Sequence, residues 1–423
     1  MFPELKSIYE DEKTLSFLSF KCFEDTEISC LKKDGKSVYQ WTVLLGNNNT
    51  GKTSLLKAIA DLRAVPWNGH SLKQSKVLIT KKDGGGKQFV PAGIHLLLND
   101  SEDSVNLDEK MLVECTTTLE NTFRWKYGTN SCATSKYPGL EDFRIYAYGV
   151  SRYPSKTSLS ESQCDDCASL FHPDQRLINI EEWLMQLDYA AKSNNRQAEE
   201  RLNRIRELLC GNLFPEILDF RFESNDRLHN YTLFQTEDGW FRYTELGYGY
   251  QSMLSWVIDL CKRMFERYPA SENPLQEEAI VLVDEIDLHL HPAWQRDIIS
   301  FLSKVFPNVQ FIVTTHSPLV VQSMNEVNLY VLHREGNKVK VDRSEVTNFK
   351  GWTVEEILRD TMRMKEDIHT GEYQKYMKLF DEGLDESDRE KLKAAYETLC
   401  RILHPENSAR RLLELQYNQL LHD

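Results

Sequence analysis

The stretch Gly46-Asn-Asn-Asn-Thr-Gly-Lys-Thr53 fills every fixed position of the phosphate-binding loop pattern G-x-x-x-x-G-K-[ST]. The apolar run Trp41-Thr-Val-Leu-Leu45 precedes it and the helix-type run Ser54-Leu-Leu-Lys-Ala-Ile-Ala60 follows it. That strand–loop–helix setting is what the loop needs to work. Gly46 and Gly51 let the backbone N–H groups of Asn47, Asn48, Asn49 and Thr50 curl around a phosphate. The helix that begins near Lys52, Thr53 and Ser54 adds the positive end of its dipole. Lys52 supplies a point charge for β- and γ-phosphates, and the Thr53 hydroxyl suits Mg²⁺. The expected ligand is therefore ATP with Mg²⁺, on an α/β fold.

The rest of the chain constrains this reading. With 423 residues, two or three domains and at least one large core are expected. The formal net charge of −14 argues against a general nucleic-acid coat, which needs concentrated Lys and Arg. Nine cysteines, an odd number in no regular framework, suggest reduced thiols and a cytoplasmic protein. The acidic start Met1-Phe-Pro-Glu-Leu-Lys-Ser-Ile-Tyr-Glu-Asp-Glu12 has no apolar leader segment, and no apolar run approaches the ~20 residues of a membrane span.

Alternating and apolar runs predict strands over Leu15–Cys30, Ser37–Leu45, Gly93–Leu98, Met111–Cys115 and Phe143–Tyr148. Lys81–Lys87 and Asn130–Tyr137 read as loops. Helical spacing of Ile180, Trp183, Leu184 and Leu187, then of Leu202, Ile205, Leu208 and Leu209, predicts a helical region over Ile178–Leu209. Strand pattern returns over Phe220–Thr244, with a hairpin at Glu237-Asp-Gly239. A helix over Gly249–Tyr268, buried strands over Ala279–Asp284 and Val309–Thr315, and a helix over Pro292–Phe306 follow. A hairpin spans Tyr330–Val341, and helices are expected over Val354–Met364 and Glu372–Leu421.

Ala279-Ile-Val-Leu-Val-Asp-Glu285 is an apolar strand that ends in two carboxylates. In open α/β sheets such strand ends face the ligand. Asp284 is expected to orient the Mg²⁺ shell, and Glu285 to polarise the attacking water as general base. Gln310-Phe-Ile-Val-Thr-Thr-His316 is the next strand, and it ends in His316. The order of P-loop, strand-Asp-Glu and strand-His resembles the ABC-type ATPases, in their soluble RecF/SMC-like branch more than in the transporters. That resemblance implies a mixed sheet, with His316 contacting the γ-phosphate. It also gives a meaning to Leu246-Gly-Tyr-Gly-Tyr-Gln-Ser252, which stands where the family carries Leu-Ser-x-Gly-x-Gln. Leu246, Gly247, Gly249 and Gln251 would then address ATP held by the P-loop of a second subunit, with Gly249 opening the helix. Gly247 replaces the family's Ser, so one hydroxyl donor is missing and slow hydrolysis is implied. Glu285-Ile-Asp-Leu-His-Leu-His-Pro292 resembles the same stretch of OLD-like and RecF-like ATPases, with Asp287 as a contact across the dimer.

Three further segments narrow the resemblance: Tyr146-Ala-Tyr-Gly-Val-Ser-Arg152, Ser169–Leu184 and Phe349–Arg359. Together they resemble the PtuA-like ATPases of Septu and retron anti-phage defence systems. The resemblance implies an ATP-operated switch subunit, a homodimer or higher oligomer, acting with a separate HNH nuclease of the PtuB type. Nucleic acid would be met through that complex. No Toprim-like carboxylate constellation follows His316, so no intrinsic nuclease is expected. The competing readings are a RecF/SMC-like DNA-repair or DNA-binding ATPase without a nuclease partner, and a transporter subunit. The large insertions disfavour the transporter. The expected division is an N-terminal ATPase lobe over 1–160, a helical insertion over 161–220, a second ATPase lobe over 221–345 and a helical region over 346–423.

Two weaker signals are discounted. Cys164-Asp-Asp-Cys167 with His172 lacks a second ligand pair, and His289 with His291 and Asp287 lacks further ligands, so neither reads as a zinc site. Lys192, Arg196, Arg201, Arg204 and Arg206 alternate with Glu199, Glu200 and Glu207, as on a solvated helix with i,i+4 pairs.

Overall fold

The computed structural model of the chain describes residues 38–60, 145–156, 165–211, 216–226, 230–363, 371–386 and 388–422, with residues 26–30, 32 and 214. It also gives backbone pairing for short strands at 14–17, 64–66, 77–78, 89–91, 111–116, 122–127 and 132–133. The expected loop at Lys81–Lys87 and strand at Gly93–Leu98 lie outside the described residues. The chain forms two compact units, Met1–Trp352 and Thr353–Asp423.

The first unit is built on a six-stranded sheet. Its strands are β1 (Trp41–Gly46), β2 (Ile145–Tyr148), β6 (Ala279–Val283), β7 (Val309–Thr315), β8 (Asn328–Glu335) and β9 (Lys338–Arg343). The spatial order is β2-β6-β7-β1-β8-β9, all parallel except β9. This is the expected mixed sheet of an α/β fold. Every residue of β1, β2, β6 and β7 is buried, which explains why they are mostly apolar with no in–out alternation: a parallel strand covered on both faces cannot alternate. Helix α1 (Lys52–Ala60) packs on the sheet, and Trp41 stacks on Phe311 at 4.3 Å between centroids. Trp41 Nε1 donates to Ser303 Oγ on α5 (Pro292–Val305) at 2.8 Å.

Register places the functional ends together. Leu45 lies opposite Thr315, Val283 opposite Val313, and Tyr148 opposite Val283. The P-loop, the Asp-Glu pair and His316 thus leave the sheet at the same carboxyl edge. The strand that ends in His316 lies between the other two.

A three-stranded antiparallel sheet, β3 (Asp219–Ser224), β4 (Asn230–Thr236) and β5 (Gly239–Arg242), precedes the signature-like segment. Gly239 has φ +130°, which the hairpin requires. The helical region read over Ile178–Leu209 is two helices, α2 (Ile180–Lys192) and α3 (Arg196–Leu209). Asn194 at φ +65° breaks it, and the Asn195 side chain accepts from Ala198 N–H to start the next helix. Asn130–Tyr137 was expected to be loop, but Cys132–Ala133 pairs with Val77–Leu78.

In the second unit the segment expected as one helix over Val354–Met364 is a capped turn, Val354–Glu356, running into a π-helical turn, Ile357–Thr361. The stretch Glu372–Leu421 is three helices, α6 (Gly371–Asp385), α7 (Arg389–Ile402) and α8 (Ser408–His422). They enclose a core of Phe380, Leu392, Ala395, Leu399 and Leu413. Among the described residues no helix is long and apolar enough to cross a membrane.

Candidate nucleotide-binding site

The loop from Gly46 to Thr53 owes its shape to backbone that few residues tolerate. Gly51 has φ +81° and Asn49 φ +62°. A Cβ on Gly46 would lie 2.5 Å from Leu332 O, so the strand end has room only for glycine. Thr50 is buried and its hydroxyl donates to Asn47 O at 2.8 Å, bracing the turn. Asn47, Asn48 and Asn49 are exposed, and Ser54 is half-buried in the first turn of α1. Lys52 is buried, and its ammonium donates to Gly46 O (2.8 Å) and Asn47 O (2.9 Å). Burial lowers its pKa to about 8, and the carboxylates of Glu285, Asp284 and Asp287 work against that shift. Its hydrogen bonds are thus to carbonyls of its own loop, an arrangement that an incoming phosphate can replace.

The Asp-Glu pair is wired to this loop. Thr53 Oγ1 donates to Asp284 Oδ2 at 2.7 Å, and Thr314 Oγ1 donates to Asp284 Oδ1 at 2.6 Å. The Thr314 hydroxyl in turn accepts from Glu285 N–H at 2.7 Å. Glu285 sits at φ +50°, and about a third of its side chain is exposed. Its Oε1 lies 3.9 Å from His316 Nε2. Burial, and next the Lys52 charge, lower the His316 pKa below its usual value, so the ring is neutral at pH 7. Thr315 Oγ1 donates to Asp287 Oδ1 at 2.5 Å, and Ser317 Oγ to Gln295 Oε1 at 2.6 Å. The sequence reading gave no part to Thr314, Thr315 or Gln295. Nothing local marks them, since their roles depend on which strand lies beside which.

The donor set suits a hard cation. Thr53 Oγ1 and the Asp284 carboxylate are oxygen donors already in contact, and Mg²⁺ is usually held by one or two such groups with phosphate and water completing its shell.

The signature-like segment stands apart from this network. Helix α4 runs Tyr248–Arg267 with Gly247 as its N-cap, not from Gly249 as expected. Gly247 has φ −59° and ψ 150°, an ordinary capping conformation. Gly249 is needed for another reason: a Cβ there would lie 2.6 Å from His289 O. Leu246 is buried. Gln251 Nε2 donates to Leu246 O (2.7 Å) and Thr244 O (3.3 Å), fastening the turn before its own helix. The bonds of Leu246 and Gln251 are therefore local, while Gly249 and the rings of Tyr248 and Tyr250 meet the segment that follows Asp287, at His289 O, the His289 ring and Trp294. His289 has φ +64°, and the His291 ring accepts from Ala293 N–H as the N-cap of α5.

Of the discounted signals, Cys164 lies outside the described residues, while Cys167 is buried with Sγ on Ile145 O at 3.3 Å. Lys192 pairs with Asp188 and Arg196 with Glu200 at i,i+4, and Arg201 donates to Phe265 O.

Residues 172–322 match the family described as "AAA domain, putative AbiEii toxin, Type IV TA system", a stretch that holds the signature-like segment, Asp284, Glu285 and His316. A retron Ec83 probable ATPase of Escherichia coli is 38% identical over 173 residues, which is 41% of this chain and 31% of the relative. A Septu protein PtuA of Bacillus thuringiensis is 35% identical over 192 residues, 44% of this chain and 48% of the relative. The chain thus spans less than half the length of these two curated relatives. Among solved structures, the SMC head domain from Thermotoga maritima aligns over 80% of this chain and all of its own, at 14% identity and a TM-score of 0.36. Over part of its length the chain is therefore similar to proteins named for Septu and retron systems.

Proposed function

We propose that this chain binds and hydrolyses ATP and serves as the nucleotide-operated switch of an anti-phage defence complex, controlling a separate HNH nuclease. The observation that carries the ATPase reading is the unbroken run of bonds Thr53–Asp284–Thr314–Glu285, which ties the phosphate loop to a carboxylate beside His316. Thr53 and Asp284 would hold Mg²⁺, which when bound offsets the charge of the phosphate oxygens. Lys52 exchanges its two carbonyl partners for phosphate oxygens. Glu285 accepts a proton from the attacking water, and the neutral His316 ring donates an N–H to the terminal phosphate.

The other half of the site comes from a second copy, whose α4 N-terminus presents backbone N–H groups and a helix dipole to that phosphate. ATP then holds a dimer or higher oligomer together. Turnover is slow, because Gly247 offers no hydroxyl. The defence role is supported by similarity to Septu PtuA and retron ATPases. In this reading the complex works in the cytoplasm and meets nucleic acid through its nuclease.

The test is to incubate the pure chain, an HNH protein encoded beside it, and both together with DNA and RNA, with and without ATP. Cleavage is expected only from the pair, and the two should copurify. Cleavage by the chain alone, lost on a carboxylate substitution, would mean an intrinsic nuclease. Failure to copurify, together with steeply salt-dependent DNA binding by the chain alone, would favour a RecF/SMC-like repair ATPase.

A further inference from the structure

The segment after β2, Tyr146-Ala-Tyr-Gly-Val-Ser-Arg152, has a side chain that the mechanism above leaves unused. Arg152 is 2% exposed. Its Nε donates to Gly149 O at 2.8 Å, and its Nη2 donates to Asp284 O and, at 2.5 Å, to Glu285 O. Nη1 is buried and meets no acceptor among the described residues. A buried cation with an unsatisfied nitrogen is costly, and burial draws its pKa down to about 10. Asp284, Asp287 and Glu285 supply the negative charge around it, yet its hydrogen bonds go to main-chain carbonyls and not to those carboxylates.

Those carbonyls belong to a turn that needs holding. Glu285 occupies the left-handed region at φ +50°, which is unfavourable for a residue with a side chain. Thr314 secures one side of it, taking Glu285 N–H at the hydroxyl and Ile286 N–H at the carbonyl (3.0 Å). The other side is the Glu285 carbonyl, which accepts from Arg152 and from Leu288 N–H at 3.0 Å. Arg152 is itself fixed from behind. A Cβ on Gly149 would lie 2.3 Å from Ser169 O, and Tyr148 donates to the buried Asp259 on α4 at 2.9 Å. We infer that Arg152 is a positioning residue for hydrolysis: by clamping the carbonyls of Asp284 and Glu285 it holds the Glu285 carboxylate where water is activated. The planar fork reaches two carbonyls at once, which a lysine ammonium cannot reproduce with the same direction. None of its bonds goes to Lys52 or Thr53, so binding and chemistry should separate.

This inference rests on the ATPase reading. The experiment compares unsubstituted full chain, Arg152→Ala, Arg152→Lys and Glu285→Gln for ATP affinity and for phosphate release. For Arg152→Ala, ATP affinity within about threefold of the parent and kcat lower by about 10²-fold are expected. Methylguanidinium at tens of millimolar should restore at least about tenfold of the lost rate in that variant and none in Arg152→Lys. If Arg152→Ala does not fold, Arg152→Lys decides, with kcat at least about tenfold down at unchanged KM. Parental kcat in a folded Arg152 variant, beside an inactive Glu285→Gln, would overturn the Arg152 assignment alone. Equal loss of affinity and rate, without rescue, would overturn it as well. Hydrolysis by Glu285→Gln equal to the parent's would remove Glu285 from the role of base and the Arg152 assignment with it, whereas no ATP-dependent phosphate release from the unsubstituted chain would overturn the ATPase reading beneath both.

Discussion

The two halves of the proposed ATP site are finished in opposite ways. At the carboxyl edge of the central sheet, the polar groups answer one another: Thr53 to Asp284, Asp284 to Thr314, Thr314 to Glu285, and Lys52 to the carbonyls of its own loop. At the start of α4, the side chains turn inward, with Leu246 in the core and Gln251 on the Leu246 carbonyl. What remains outside is Gly247, Tyr248 at 71% exposure, and the first N–H groups of a helix, which have no intrahelical acceptor. A set of groups that satisfy one another can bind a ligand within one chain. A bare helix start completes a site only when something else is brought to it. Substitutions at the sheet edge should therefore change chemistry or affinity, and substitutions at α4 should change packing or turnover.

The largest effect should come from Glu285→Gln. The amide keeps the size of the side chain and leaves the Thr53–Asp284 bond alone, so ATP binding persists. It cannot take a proton from water, and removal of a positioned general base lowers rates by about 10²–10⁴-fold. Because ATP stabilises the state to which it binds, an ATP-bound dimer should accumulate, visible by light scattering with ATP and Mg²⁺. Unchanged phosphate release would remove Glu285 from the role of base. Lys52→Ala comes next, and it acts on affinity. A charge-assisted hydrogen bond is worth about 1.5–3 kcal/mol, so nucleotide titration should show binding weaker by roughly 10²-fold. Parental affinity in a folded variant would mean that the loop does not hold phosphate.

The sheet edge was legible in the sequence because its signals are contiguous. Gly46 to Thr53 lie side by side in the chain, and the strands that carry Asp284 and His316 show themselves as apolar runs. What the sequence did not show are links set by strand order and close approach. Thr314 reaches Asp284 only because β7 lies beside β6, and Arg152 reaches Glu285 only because β2 lies on the other side of β6. The start of α4 was misplaced by one residue, because Gly247-Tyr-Gly249 offers two glycines of the same local meaning. Only the His289 carbonyl against Gly249 tells them apart. The break at Asn194 was missed for a similar reason, since the apolar spacing on either side of it continues at helical period.

That distinction between the glycines can be tested directly. Gly249→Ala puts a methyl 2.6 Å from a backbone oxygen, and backbone must move to admit it. Overpacking of this kind typically costs about 1–3 kcal/mol, so a lower Tm by thermal unfolding is expected. An unshifted Tm would show that the segment around His289 gives way freely, and that the glycine is there for a ligand.

Gly247→Ser should be the mildest change and the sharpest test of the α4 side. A Cβ at Gly247 meets only Tyr250 Cδ2, at 3.8 Å, and its φ of −59° suits any residue. Serine is also a better N-cap than glycine, by a few tenths of a kcal/mol, so stability should hold or rise slightly. As a cap, its oxygen accepts from the helix backbone while its O–H remains able to donate. That donor would face the phosphate brought by a second copy. If its absence limits transition-state stabilisation, turnover should rise by up to about tenfold, the value of one modest hydrogen bond to a charged group. ATP affinity of the single chain should stay the same, because the phosphate loop is untouched. An unchanged or lower rate would mean that the bare Gly247 backbone is an adaptation to close approach by its partner, and that slow turnover has its origin at the sheet edge instead.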